Sequence, residues 1–264
     1  MYRGFKVSNF SFSPSSKENL FKIGKNLYND LNASVRPRLK NYINSDNSLD
    51  GSSIQNAWFP QLKADIFISH SHKDKDLAIT LAGWLKSEFN LNCFIDSCVW
   101  GYSNELLKEI DNLYCRNGEN SYSYQKRIYS TSHVHMMLST ALSTIMDKTE
   151  CLFFLNTPKS IMPYTSMEQT ESPWIYFEIA MSQIIRKKEP TRFLTESLRY
   201  YSDGGILEKS IKVKYEVDLT HLTEIDGNEL AKWATKRGVL TEEDALDLLY
   251  TLKPPKKNSD SLHG

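Results

Sequence analysis

The sequence lacks the features of membrane, secreted and polyanion-binding proteins. Its longest apolar runs, around 151–155, are far shorter than the roughly 20 residues that cross a bilayer, and Met1 does not begin a signal peptide with an apolar core. Lys plus Arg and Asp plus Glu are both 32, so the net charge is zero and implies no overall attraction to nucleic acid or anionic lipid. We therefore expect a cytoplasmic protein with no direct nucleic-acid or membrane partner.

Cysteine is scarce, and the chain has no internal repeat or low-complexity tract. Four cysteines in 264 residues, without CxxC spacing, predict reduced and mostly buried thiols and no disulfide framework: Cys93, Cys98, Cys115 and Cys151. Hydrophobic residues make up 40% of the chain, which is enough to form a core. We expect a globular protein.

Residues 1–62 differ in composition from the rest of the chain. They are rich in Ser, Asn and Lys, and one amphipathic pattern from about Lys17 to Leu31 predicts a helix. Residues 45–53 have the composition of a loop or linker. We therefore expect residues 1–62 to form an N-terminal helical extension, an appendage to a domain that covers residues 63–252.

From residue 63 onward, short apolar runs alternate with helical patterns. The runs at 64–69, 92–96 and 150–156 predict buried strands, and apolar residues at helical spacing lie between them. This alternation predicts an α/β fold, in which helices cover both faces of an open parallel sheet.

Other segments complete the predicted domain. Residues 112–131 are polar and rich in Tyr, which indicates an insertion. Residues 212–219 alternate with period two and predict a strand, which could lie at a sheet edge. Two C-terminal helices are expected at about 228–237 and 241–252, followed by a polar tail at 253–264.

Ligands of parallel sheets bind at the carboxyl ends of the strands. Three predicted loops meet that description: 70–74, 96–103 and 156–172. The last loop leads to Ser172 and Pro173, which are typical of a helix start and place Trp174 and Glu178 on one helix face. On their own, core packing explains the tryptophan, and an ion pair with a lysine explains the glutamate.

Histidine and cysteine side chains could also indicate a zinc site. However, His-x-His pairs in a loop or near a helix start usually hold no metal, so we predict none from His70, His72, His133 and His135 with Cys98 or Cys115.

Four segments, in this order, resemble the Toll/interleukin-1 receptor (TIR) domain family. They are 65–70 (DIFISH), 94–96 (FID), 152–156 (LFFLN) and 172–178 (SPWxxxE), and the similarity covers roughly residues 63 to 220. The resemblance implies a flavodoxin-like fold. The family divides into signalling adaptors and enzymes that cleave NAD, and the bacterial NAD-cleaving effectors are the type that this chain resembles.

In the enzymatic branch the glutamate of the last segment is catalytic, so the resemblance implies that Glu178 is the catalytic residue and Trp174 a wall of the pocket. It also implies that His70, Ser71, Trp100 and Tyr102 line the nucleotide site. Trp100 and Tyr102 could instead form a protein contact surface. NAD+ would be the substrate, with no further cofactor.

The chemistry is consistent with these residues. Breaking the bond between nicotinamide and ribose builds positive charge on the sugar, which a nearby carboxylate stabilises. Nicotinamide is a good leaving group, so one well-placed acid can suffice. The sequence leaves hydrolysis and cyclisation open, because the outcome depends on whether water or an adenine nitrogen reaches the ribosyl carbon.

The first functional hypothesis is therefore an NAD+ nucleohydrolase or cyclase of bacterial anti-phage defence. Two means of activation are expected: self-association of TIR domains, or an activating protein that binds residues 1–62 or the insertion. The alternatives are a non-catalytic TIR interaction module and a related N-glycosidase that acts on other nucleotides. This chain departs from the family pattern at Ile175, where many members of the family have Cys.

Overall fold

The computed structural model describes residues 1–32, 38–59, 63–119, 121–162, 168–190, 214–237 and 242–255; of residues 30–32, 98–100 and 242–244 only the backbone is described. In these ranges the chain forms seven strands and eight α-helices. In chain order they are β1 (Arg3–Ser8), α1 (Pro14–Asn32), α2 (Gly51–Trp58), β2 (Ile66–Ser69), α3 (Lys75–Phe89), β3 (Cys93–Ile95), α4 (Ser97–Ile110), α5 (Tyr124–Lys148), β4 (Cys151–Leu155), β5 (Gln169–Thr170), α6 (Pro173–Ile184), β6 (Tyr215–Glu216), β7 (Thr223–Asp226), α7 (Gly227–Lys236) and α8 (Glu242–Leu252).

Five of the strands form one sheet in the order β3-β2-β4-β1-β7, and every pair of neighbours is parallel. Strands β2, β3 and β4 are buried along their whole length. Parallel strands that are covered on both faces have this continuous apolar character. The predicted α/β fold with an open parallel sheet is confirmed.

Helices cover both faces of the sheet, and alternate strand residues contribute to the two cores. On one face, Phe67, Phe94 and Phe154 pack with residues of α2, α4, α5 and α6. On the other face, Ile66, Ile68 and Phe153 pack with residues of α1, α3, α7 and α8. We call these two sides of the sheet the α6 face and the α3 face.

The expectation that residues 1–62 form an appendage is wrong for the N-terminal strand. Strand β1 lies inside the main sheet, between β4 and β7, and Phe5 and Val7 are fully buried. Helix α1 crosses α3 at very close range, since a Cβ atom on Gly83 would lie 1.9 Å from the Leu20 carbonyl oxygen. Strand β1 and helix α1 therefore both contribute to the packing of the main domain.

The strand order also differs from the flavodoxin-like order that the resemblance implies. Numbered along the chain, the five strands have the order 3-2-4-1-5, whereas a flavodoxin-like sheet has the order 2-1-3-4-5. The difference arises because β1 occupies the place beside β4. The three strands β3, β2 and β4 keep the relative order of the first three flavodoxin strands.

In three segments the structure differs from the expectation or adds detail to it. The predicted loop at 96–103 lies in α4 apart from Asp96, whose side chain caps the helix that starts at Ser97. The predicted insertion at 112–131 is partly helical, since 111–115 form a π-helical turn and Tyr124 begins α5. In the predicted strand at 212–219, the described part pairs antiparallel with β5, outside the main sheet, through Tyr215 and Glu216.

The C-terminal helices are confirmed as α7 and α8. Of the predicted tail, residues 253–255 are described and 256–264 lie outside the described residues. None of the helices in the described ranges is long and apolar enough to span a bilayer. Cys93, Cys115 and Cys151 are buried free thiols, as expected, and the Cys98 side chain is outside the description.

Candidate active site

The candidate site lies at the carboxyl ends of β2 and β3, beneath α6. Phe67 points to the α6 face, so the alternation of a strand places Ser69 on the same face. Phe94 likewise points to the α6 face, and Asp96, two residues later, follows it. The sequence thus brings a hydroxyl and a carboxyl to one side of two neighbouring strands.

Helix α6 supplies the third group. It begins as predicted, with Pro173 at its first turn and the Ser172 hydroxyl accepting a hydrogen bond from the Ile175 amide at 3.3 Å. The buried side chains of α6 are Ile175, Glu178, Ile179 and Ser182. Glu178 is therefore an acid within an otherwise mainly apolar helix face, and its exposed fraction is 0%.

Four polar side chains meet at this point in a buried network. The Ser69 hydroxyl donates to Glu178 Oε2 at 2.6 Å, and the Glu178 and Asp96 carboxyl groups lie within hydrogen-bonding reach of each other. Asp96 Oδ1 lies 2.6 Å from His70 Nδ1 and accepts a hydrogen bond from the Ser97 amide at 2.6 Å. Glu178, Asp96 and His70 are all fully buried.

The surroundings of Glu178 favour its neutral form. Burial raises the pKa of the Glu178 carboxyl well above its ordinary value, and the adjacent Asp96 charge raises it further. The hydrogen bond from Ser69 acts in the opposite direction but is the weaker influence. A buried carboxyl with a strongly perturbed pKa at the carboxyl edge of a parallel sheet is a candidate for function.

The neighbouring loops are tied together across the sheet. The Thr157 hydroxyl, after β4, donates to Asp74 Oδ2 at 2.5 Å, and Lys159 Nζ lies 3.0 Å from Asp74 Oδ1. The chain continues from β2 to β3, on one side of the β2–β4 pair, and from β4 the next strand of the main sheet is β7, on the other side. The connections after β2 and after β4 therefore run in opposite directions along the sheet. This is the position at which open α/β sheets bind ligands.

The structure places the predicted site residues in different settings. His70 joins the network of Glu178, whereas the Ser71 hydroxyl accepts from the Lys73 amide at 3.4 Å and caps a short 3₁₀ turn. Tyr102 is only 4% exposed and packs in the core on the α6 face. The Trp100 side chain lies outside the description.

Trp174 is half-buried and packs against another helix. Its ring makes edge-to-face contacts with His135 of α5, at a centroid distance of 5.6 Å, and with Phe177 at 6.4 Å. Core packing therefore accounts for this residue. His135, one of the histidines considered for zinc, packs against the tryptophan, and no group of three metal-ligating side chains occurs in the described parts of the chain.

Sequence reasoning missed Ser69 and Asp96 as site residues. Their positions could have identified them, because each is a polar residue two positions after a phenylalanine of a buried strand and so lies on the same face of the sheet. Polar groups in that position cannot join the apolar core and need partners. Their convergence on Glu178 depends on the order of the strands and on the position of α6.

Comparison with protein families, with curated proteins and with solved structures finds no match for this chain.

Proposed function

We propose that this protein cleaves the bond between nicotinamide and ribose in NAD+, with Glu178 as the catalytic carboxylate. The observation that carries the proposal is the position of Glu178, fully buried beside Ser69 and Asp96 at the carboxyl edge of the sheet. Burying two carboxyl groups together costs stability, and an apolar side chain would serve packing better. Such a cost is expected where a function needs the acid.

In the proposed reaction, positive charge grows on the ribose as nicotinamide leaves, and an ionised Glu178 stabilises that charge. Ser69 fixes one carboxyl oxygen and so orients the group. Because Glu178 has no exposed surface, NAD+ can reach it only after α6 or the loops beside it move. This burial supports activation by self-association or by a partner protein.

The proposed fold is a TIR-like sheet in which the N-terminal strand β1 occupies the place beside β4. Its support is the order of β3, β2 and β4, together with the resemblance of their sequences and of the Ser172–Glu178 segment to TIR domains. We further propose that the protein is a cytoplasmic effector of bacterial defence against phage, as the resemblance implies.

Nicotinamide release tests the proposal. Purified protein, at high concentration and with a crowding agent to promote assembly, is mixed with NAD+, and nicotinamide is measured over time. Wild type should release it, and Glu178→Ala should lower the rate by a factor of about 100 or more, which is typical of losing a group that stabilises transition-state charge. Glu171→Ala is the matched control, because Glu171 is an exposed glutamate just before the same helix.

The outcomes separate the hypotheses. Equal rates for wild type and Glu178→Ala would remove Glu178 from the mechanism. Release of a free base from another nucleotide, with NAD+ left intact, would favour the N-glycosidase. No release by wild type under assembling conditions would favour a non-catalytic module.

The interaction module is the second candidate, and a surface feature favours it. A segment around the predicted insertion exposes large apolar side chains, each between 41% and 76% exposed: Leu113, Tyr122, Tyr124, Ile128, Tyr129 and Met136. Several large apolar side chains exposed within one segment indicate a candidate protein contact surface. The same surface is the proposed contact for an activating partner if the protein is an enzyme.

A further inference from the structure

The four oxygens of the buried Glu178 and Asp96 carboxyl groups have different hydrogen-bond partners. Glu178 Oε2 accepts from Ser69, and Asp96 Oδ1 accepts from the Ser97 amide. The other two oxygens, Glu178 Oε1 and Asp96 Oδ2, are also buried, and no donor group of the described residues bonds to either one. They are the oxygens left for the contact between the two carboxyl groups.

Two adjacent buried carboxylates cannot both carry a charge without a large electrostatic cost. One proton between Glu178 Oε1 and Asp96 Oδ2 removes the repulsion and also satisfies both oxygens, one as donor and one as acceptor. The resulting hydrogen bond joins a neutral acid to an ionised one, which is a strong type of hydrogen bond.

The surrounding groups indicate which residue carries the proton. Asp96 has more polar contacts than Glu178, because its Oδ1 accepts from the Ser97 amide and also lies 2.6 Å from His70 Nδ1. Apart from its contact with Asp96, Glu178 accepts from one donor among the described residues, the Ser69 hydroxyl, and its buried neighbours on α6 are Ile175, Ile179 and Ser182. This asymmetry favours a proton on Glu178, whose pKa burial and the Asp96 charge raise.

We propose that Asp96 is a positioning residue that holds Glu178 as a neutral acid, through one proton shared between Glu178 Oε1 and Asp96 Oδ2, and so keeps the closed site inactive. When the site opens, water takes the proton from Glu178 Oε1 and leaves the carboxylate that the reaction needs. The catalytic consequence rests on the proposed NAD+ cleavage. The presence of the shared proton does not depend on that reaction, so it can be detected without substrate.

Infrared spectroscopy of the 264-residue protein, without NAD+, tests the shared proton. A protonated carboxyl has a C=O stretching band that is separate from that of a carboxylate and moves in D₂O. Wild type at neutral pH should show this band, and Glu178→Gln should lose it. In Asp96→Asn the repelling charge is gone, so the band should be lost at a lower pH than in wild type.

A variant with the opposite effect covers the case in which Asp96→Asn does not fold. Ser69→Ala removes the hydrogen bond that stabilises ionised Glu178, so its carboxyl band should persist to higher pH than in wild type. Absence of the band from wild type at neutral pH would overturn the proposal. So would titration of the band at an unchanged pH in folded Asp96→Asn or Ser69→Ala.

The pH profile of nicotinamide release then tests the catalytic consequence. It should shift to lower pH in Asp96→Asn and to higher pH in Ser69→Ala. If the carboxyl band is present but nicotinamide is not released under any condition, the proposed function is refuted and the proton assignment stands. Nicotinamide release with an unaltered profile in both variants would refute the regulatory role of Asp96.

Discussion

Replacing Glu178 by glutamine should make the stability of the protein less dependent on pH. Glutamine has the shape of the neutral acid, so its amide oxygen can still accept from Ser69 while its amide N–H donates to Asp96 Oδ2. At acidic pH, where wild-type Glu178 is protonated in both the folded and unfolded states, we expect the two proteins to differ by no more than about 1.5 kcal/mol.

The difference should grow as the pH rises. In the unfolded chain a glutamate has its ordinary pKa of about 4.3, whereas in the folded protein burial and Asp96 raise the pKa of Glu178. Between these two pKa values the folded state holds one more proton than the unfolded state. The free energy of unfolding of wild type therefore falls by about 1.4 kcal/mol per pH unit relative to Glu178→Gln. The fall ends once the folded carboxyl ionises.

Urea denaturation at constant ionic strength, from about pH 5 to about pH 8, measures this slope for both proteins. Glu171→Gln is the control, because it removes an exposed carboxyl of the same segment and should follow the wild-type curve. Parallel curves for wild type and Glu178→Gln would show that Glu178 does not retain a proton on folding. That result would refute the reasoning about the buried pair.

Two further substitutions test the packing of the N-terminal residues. Gly83→Ala should destabilise the protein by roughly 1–3 kcal/mol in urea denaturation, because the new Cβ would lie 1.9 Å from the Leu20 carbonyl oxygen of α1. Gly101→Ala is the helical control and should be neutral or stabilising, because its Cβ would meet no atom of the described residues within 4 Å. Phe5→Ala should cost roughly 3–5 kcal/mol in the same assay, because the ring is fully buried against Phe153. A loss below about 1 kcal/mol would contradict a central position for β1.

The central strands could be predicted because their environment is uniform. Residues of β2, β3 and β4 are apolar whichever face they point to, so their sequences show continuous apolar runs. Strand β1 has no such run, since Arg3, Phe5 and Val7 alternate with less buried residues. Its neighbours β4 and β7 follow it by more than 140 residues, so only the tertiary structure identifies it as an internal strand.

The start of α4 shows a different limit of sequence reasoning. Gly101 lowers the helix propensity of the segment, and the apolar and polar residues around it gave the composition of a loop. In the structure the Asp96 side chain caps the helix, and Tyr102 and Leu106 pack in the core on the α6 face. Tertiary packing outweighs a local preference of this size.

The sequence by itself determined the strands that carry the site and the helix that begins at Pro173, because apolar runs and a serine cap act through near neighbours. It also identified Glu178 and His70 as candidates. Only the tertiary structure decided that Ser69, 109 residues before Glu178, bonds to it, and that Asp96 lies beside it. The protonation of Glu178 depends on that arrangement, because burial and a neighbouring charge exist only in the folded chain.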